Sequence, residues 1–116
     1  MTAAHATARE KGFYEKEKNI GEMLCLIHAE VSEALEADRK DEYYQDNLDV
    51  LNGWVDDADF YKHYKQEVKG TFEEEMADIM IRVADLCEYK KIALEGHIRA
   101  KLRFNSLREK YHGKKY

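Results

Sequence analysis

The chain contains no proline and only six glycines in 116 residues. Small β-sandwiches and barrels are built from tight turns that draw on both residues, so this composition argues against them. Cysteine is nearly absent: Cys25 and Cys87 stand alone, with no CxxC pair. They read as ordinary helix residues rather than as ligands or a redox couple. No apolar run approaches the ~20 residues of a membrane-spanning helix. Met1-Thr2-Ala3-Ala4-His5 has no basic segment followed by an apolar stretch. No secretory signal is therefore expected, and both thiols are expected reduced in a cytoplasmic protein. Positive charge is also short, with 19 Lys+Arg against 24 Asp+Glu and a net charge of -5. Such a balance argues against a nucleic-acid polymer or an anionic membrane as partner.

What is present points to helices. The length suits one domain over residues 1–116, and a hydrophobic content of 44% supports a thin core. The charge is unevenly placed. Residues 99–116 hold seven basic residues and one acid, which leaves 12 basic and 23 acidic residues in the preceding 98. The body is therefore at -11 and the tail at +6.

The six glycines, at 12, 21, 53, 70, 96 and 113, divide the chain into segments of helical period. Residues 2–11 suit a short first helix ended by Gly12. Asn19-x-x-Glu22 resembles a capping box. Behind it Ile20, Met23, Leu24, Ile27, Val31, Ala34 and Leu35 recur at helical spacing to about residue 39. Residues 41–69 read as an extended connection, with loop over 41–58 and a further helix from Asp57 to Val68. Thr71-x-x-Glu74 is a strong capping box, and Glu73, Glu74 and Glu75 suit the positive end of a helix dipole. Phe72, Met76, Ile79, Met80, Val83, Leu86 and Cys87 then mark an apolar stripe to about residue 89. Ile92 to Gly96 is a connection or helix start, and Ile98 to Tyr111 is a last helix ended by Gly113. The expected fold is all-α: a small four-helix-type bundle around two main amphipathic helices.

Acidic pairs border both main stripes. On a helical wheel Ile20, Leu24, Ile27 and Val31 define the centre of the first stripe, with Glu30 and Glu33 to one side. In the second, Phe72, Met76, Ile79 and Val83 define the centre. Glu75 and Asp78 lie to the same side, followed by Arg82 and Asp85. Residues three apart share a helix face. If the helices pack together, the two pairs converge at the edge of the core. Converging carboxylates repel one another and lose hydration, so they need cations. Mg²⁺ prefers oxygen ligands and is held by a few carboxylates together with substrate phosphates. A single ExxE is usually a solvated helix face. Two pairs, each beside an apolar stripe, strengthen the case for a Mg²⁺–polyphosphate site, with a solvated face still the leading alternative.

The basic tail offers a complement. Lys101, Asn105 and Arg108 fall at i, i+4 and i+7 with Ile98 and Leu102 on a partly inward face. A cation, an amide and a guanidinium suit phosphate oxygens; salt bridges to the bundle acids are the alternative. Phe13 and Tyr14, after the Gly12 break, are candidates for stacking a base. A di-iron bundle needs two Glu-x-x-His elements, and only Glu109-x-x-His112 is present.

Taken together these residues resemble the MazG-like all-α nucleoside triphosphate pyrophosphohydrolases. The resemblance rests on Ile27-His28-Ala29-Glu30-Val31-Ser32-Glu33-Ala34-Leu35-Glu36, on Glu73-Glu74-Glu75-Met76-Ala77-Asp78-Ile79-Met80-Ile81-Arg82, and on the tail. The tail reads Lys101-x-x-x-Asn105-x-x-Arg108-x-x-x-His112-Gly113-Lys114-Lys115-Tyr116 and is similar to the ending of a compact subgroup. The resemblance implies a hydrolase that converts a (deoxy)nucleoside triphosphate to monophosphate and pyrophosphate, limiting cytoplasmic nucleotides. Mg²⁺ is the implied cofactor, with Mn²⁺ as a substitute. Glu30, Glu33, Glu75 and Asp78 would be metal ligands, and Glu33 or Glu30 would orient the attacking water. Lys101, Asn105 and Arg108 would hold phosphates. A homodimer or homotetramer is implied, so a second subunit can complete a site. Residues 34–74 depart from the pattern, being longer than in short members and carrying Tyr43, Tyr44, Trp54, Phe60, Tyr61 and Tyr64; this insertion could cap the pocket, alter base preference or build the oligomer. The rival readings are a catalytically silent helical module that binds a nucleotide or a protein, and a purely structural oligomer.

Overall fold

A computed structural model describes residues 19–112, and for His112 the backbone alone. The expected helix at 2–11, Phe13, Tyr14 and the stop at Gly113 lie outside the described residues. Within them the fold is all-helical, with no strand. The five helices are α1 (Ile20–Arg39), α2 (Leu48–Asn52), α3 (Asp57–Glu67), α4 (Phe72–Lys90) and α5 (Leu94–His112).

Both main helices begin where their caps direct. The Asn19 side chain accepts the Glu22 amide at 3.1 Å, and Thr71 Oγ1 accepts the Glu74 amide at 3.2 Å. Glu74 does not close its box on Thr71. It reaches one residue further and accepts the Gly70 N–H at 2.7 Å. Gly70 has φ +86°, a left-handed conformation that a side chain would strain. The last helix starts earlier than expected, at Leu94, and runs through Gly96. One glycine costs a helix only about 1 kcal/mol, which its neighbours outweigh.

The connection 41–69 is more structured than an extended loop. It contains the single-turn α2 as well as the expected α3, and its neck is tied. The Phe72 amide donates to the Glu42 carbonyl at 2.8 Å, and the Tyr44 amide donates to Glu73 Oε1 at 2.9 Å. Tyr43 stacks on Phe72 with ring centroids 5.1 Å apart. These bonds hold the start of α4 against the end of α1.

The tertiary core is the α1–α4 hairpin. Its seam on α1 differs from the expected stripe. Met23, Glu30, Ala34 and Ala37 are buried, whereas Leu24, Val31 and Leu35 are about half exposed. Met76 and Met80 of α4 are likewise exposed. Small residues at a helix contact let the axes approach, and Ala34 and Ala37 are the most buried residues of this contact. The larger side chains are turned away from the partner helix. α2 and α3 touch each other, and α5 makes no extended contact with any other helix. The molecule is accordingly elongated, measuring 54 × 39 × 28 Å.

Candidate metal centre

The seam places carboxylates as well as methyl groups between the two long helices. Glu30 is 9% exposed and Glu75 is 7% exposed. Glu33, one turn beyond Glu30, keeps its carboxylate in solvent. One carboxylate oxygen from each of Glu30, Glu33 and Glu75 lies within 4.8 Å of the others. An octahedral Mg²⁺ with bonds of about 2.0–2.1 Å separates adjacent ligand oxygens by about 3 Å. Three oxygen donors within this spacing suit such an ion in chemistry, and side-chain adjustment would draw them into its first shell. Asp78 is half-buried on the next turn of α4 but is not one of the three that converge.

The electrostatics show what crowding costs. Burial, the charges of Glu33, Glu30 and Asp78, and a hydrogen bond with Glu30 push the Glu75 carboxyl up to about 7. Near neutral pH Glu75 therefore holds a proton for part of the time. Burial also raises Asp78, reinforced by the charges of Glu30, Glu74 and Glu33 and opposed by Arg82. A buried carboxylate also needs a cationic or hydrogen-bonding partner. Glu30 finds one across the seam, where Arg82 Nε donates to its Oε2 at 2.8 Å. Arg82 is a site residue that the acidic motifs do not include. Its signal was present in the sequence, since it follows Asp78 by one turn on the same face of α4.

Tyr64 lies outside those motifs as well, and for a different reason. It belongs to α3, and only the folding-back of the connection brings it to α4. Burial, a hydrogen bond with Glu74 and the charges of Glu74, Asp78 and Glu75 push its phenol up to about 12.

The three tail residues stand elsewhere. Lys101 and Arg108 lie on α5 and flank Phe104 of the same helix, 5.1 and 5.7 Å from the ring centroid. Asn105 is half-buried, and its Oδ1 has no hydrogen-bond partner. Because α5 has no extended packing on α1 or α4, one chain does not gather these groups around the acids. No protein-family model, no curated protein and no solved structure matches the chain. No helix of the described residues is long and apolar enough to cross a membrane.

Proposed function

We propose that this chain is a MazG-like, Mg²⁺-dependent hydrolase that cleaves (deoxy)nucleoside triphosphates to nucleoside monophosphate and pyrophosphate. The observation that carries this reading is the convergence of Glu30, Glu33 and Glu75 from two helices, with Glu30 and Glu75 separated by 45 residues in sequence. Carboxylates so crowded that one is held near pKa 7 form a site that a divalent cation would relieve. When bound, Mg²⁺ or Mn²⁺ neutralises phosphate charge and acidifies water.

The three ligands are not equivalent. Glu30 is engaged by Arg82, and Glu75 carries a proton for part of the time. Glu33 is the solvent-facing member, open to an incoming substrate. It is best placed to accept a hydrogen bond from the attacking water and to take its proton. The water oxygen then bonds to the α-phosphorus, the bridging P–O bond breaks, and pyrophosphate leaves. Asp78, on the next turn, serves as the fourth acid.

We assign Lys101, Asn105 and Arg108 to phosphate binding in a homodimer or homotetramer, where α5 serves the site of a neighbouring copy. One observation supports this: the exposed apolar side chains Leu24, Val31, Leu35, Met76 and Met80 lie on the two hairpin helices. Pairing two hairpins through these residues would make a four-helix bundle.

The test is pyrophosphate release from a panel of ribo- and deoxyribonucleoside triphosphates, with and without Mg²⁺ or Mn²⁺. Release that requires the metal is expected for at least one substrate. Cleavage of none of them sinks the proposal.

A further inference from the structure

The connection between the acidic helices builds a cavity that paired carboxylates alone do not require. α3 supplies Phe60, Tyr61, Tyr64 and Lys65, while Lys69 and Glu74 complete the lining at the start of α4. The cavity holds about 320 Å³. That is the small end of the range for ligand pockets, on the scale of a single nucleoside. The Phe60 and Tyr64 rings lie 5.8 Å apart, tilted at 44°. Ring faces beside two ammonium groups complement a planar aromatic ligand that carries an anionic group.

The location matters as much as the lining. Glu74 precedes Glu75 in sequence and lies one turn from Asp78 on α4. Neighbours of that spacing are roughly 5–6 Å apart at Cβ. The pocket and the carboxylate cluster therefore share the first turn of α4, through Glu74 and Glu75. Tyr64 lines the pocket, and its phenol senses the charges of both Glu75 and Asp78. Lys65 and Lys69 place positive charge where the acids alone would repel a phosphate chain.

We propose that the Phe60–Tyr64 pocket is the base-binding subsite for the nucleotide whose phosphates reach the Glu30–Glu33–Glu75 cluster. This rests on the reading of that cluster as a triphosphate site. The inserted helix then has a role in recognition, with α3 supplying the stacking surface and α4 the acids.

The test separates the two readings. Nucleoside 5′-monophosphates are titrated into the full chain by NMR in EDTA, with inorganic phosphate as the base-free control. Saturable binding is expected for the nucleotides, with the largest amide shifts in α3. Phe60→Ala should weaken it about tenfold, the scale of one stacked base. Phe60→Leu, which keeps the bulk, should weaken it less, and circular dichroism checks that both variants remain helical. No nucleotide binding by the wild-type chain overturns the pocket. So does equal binding by wild type and Phe60→Ala, or a Phe60→Ala effect confined to oligomeric state. Each of these leaves metal-dependent triphosphate cleavage, assayed separately, standing. Binding in α3 without cleavage of any triphosphate supports the pocket and overturns the catalytic reading.

Discussion

In the α1–α4 hairpin the residues most withdrawn from water include Glu30 and Glu75, whereas α5 leaves Leu102, Phe104 and Tyr111 more than half exposed. Each arrangement is unfavourable by itself. Buried carboxylates lose hydration and repel one another, and exposed rings and methyls keep apolar surface in water. Isolated stability does not account for either. Both costs fall if a cation enters the hairpin and a second copy covers the apolar faces. A helix with Lys101 and Arg108 is also the natural counter-charge for a site of glutamates. On the proposed reading, the acids and the basic helix are two halves of a device, joined by assembly rather than by the path of one chain.

The sharpest way to break this comparison is to disable the hairpin half. Glu33→Gln keeps size and helix propensity but removes the group that would accept the water's proton. Turnover should fall by about 10²–10⁴-fold with circular dichroism unchanged. Asp78→Asn should likewise remove activity. Full activity in both variants would refute the site.

The next effect tests whether the halves come from different copies. Arg108→Ala should be inactive or nearly so, as should Glu33→Gln. Mixing the two variants under conditions of subunit exchange should restore part of the activity, because each mixed dimer then carries one intact site. Pyrophosphate release from the mixture no greater than from the separate variants would place both halves in one chain.

The smallest effect concerns the metal-free hairpin. Glu75 has its folded pKa raised to about 7 from an ordinary 4.5. The folded state therefore binds this proton more tightly than the unfolded state. Its contribution to stability is full below about pH 4.5, declines as the pH rises, and is lost once the pH passes about 7. The difference is on the order of 3 kcal/mol at most. Thermal melting in EDTA should show Tm falling between pH 5 and pH 8, and Mg²⁺ should reverse the fall at pH 8. A Tm that rises over this range would show that Glu75 does not feel its neighbours as described.

Much of the fold was legible along the chain. The starts of α1 and α4 follow from Asn19 and Thr71, whose side chains close local rings with amides three residues on. Such signals need no tertiary partner. The start of α5 was less clear, because Gly96 looked like punctuation and the cost of one glycine is small. Of the candidate site residues, Glu30, Glu33 and Glu75 converge, and Asp78 lies one turn away. Arg82 was within reach of the same helical spacing. Phe60 and Tyr64 were visible as aromatics of the insertion, but the pocket they line was not, because it forms only when α3 folds back onto the start of α4.

By itself the sequence determined that the chain is helical, where its two long helices begin, and that each bears an acidic pair beside an apolar stripe. Local spacing and capping decide those matters. Tertiary structure alone decided which stripe becomes the seam. Hydrophobicity favours Leu24 and Val31 as its centre, yet the buried seam runs through Met23, Glu30, Ala34 and Ala37. That seam puts Glu30 opposite Glu75 and Arg82, because the packing of two helices depends on the shape of the contact as well as on its apolarity.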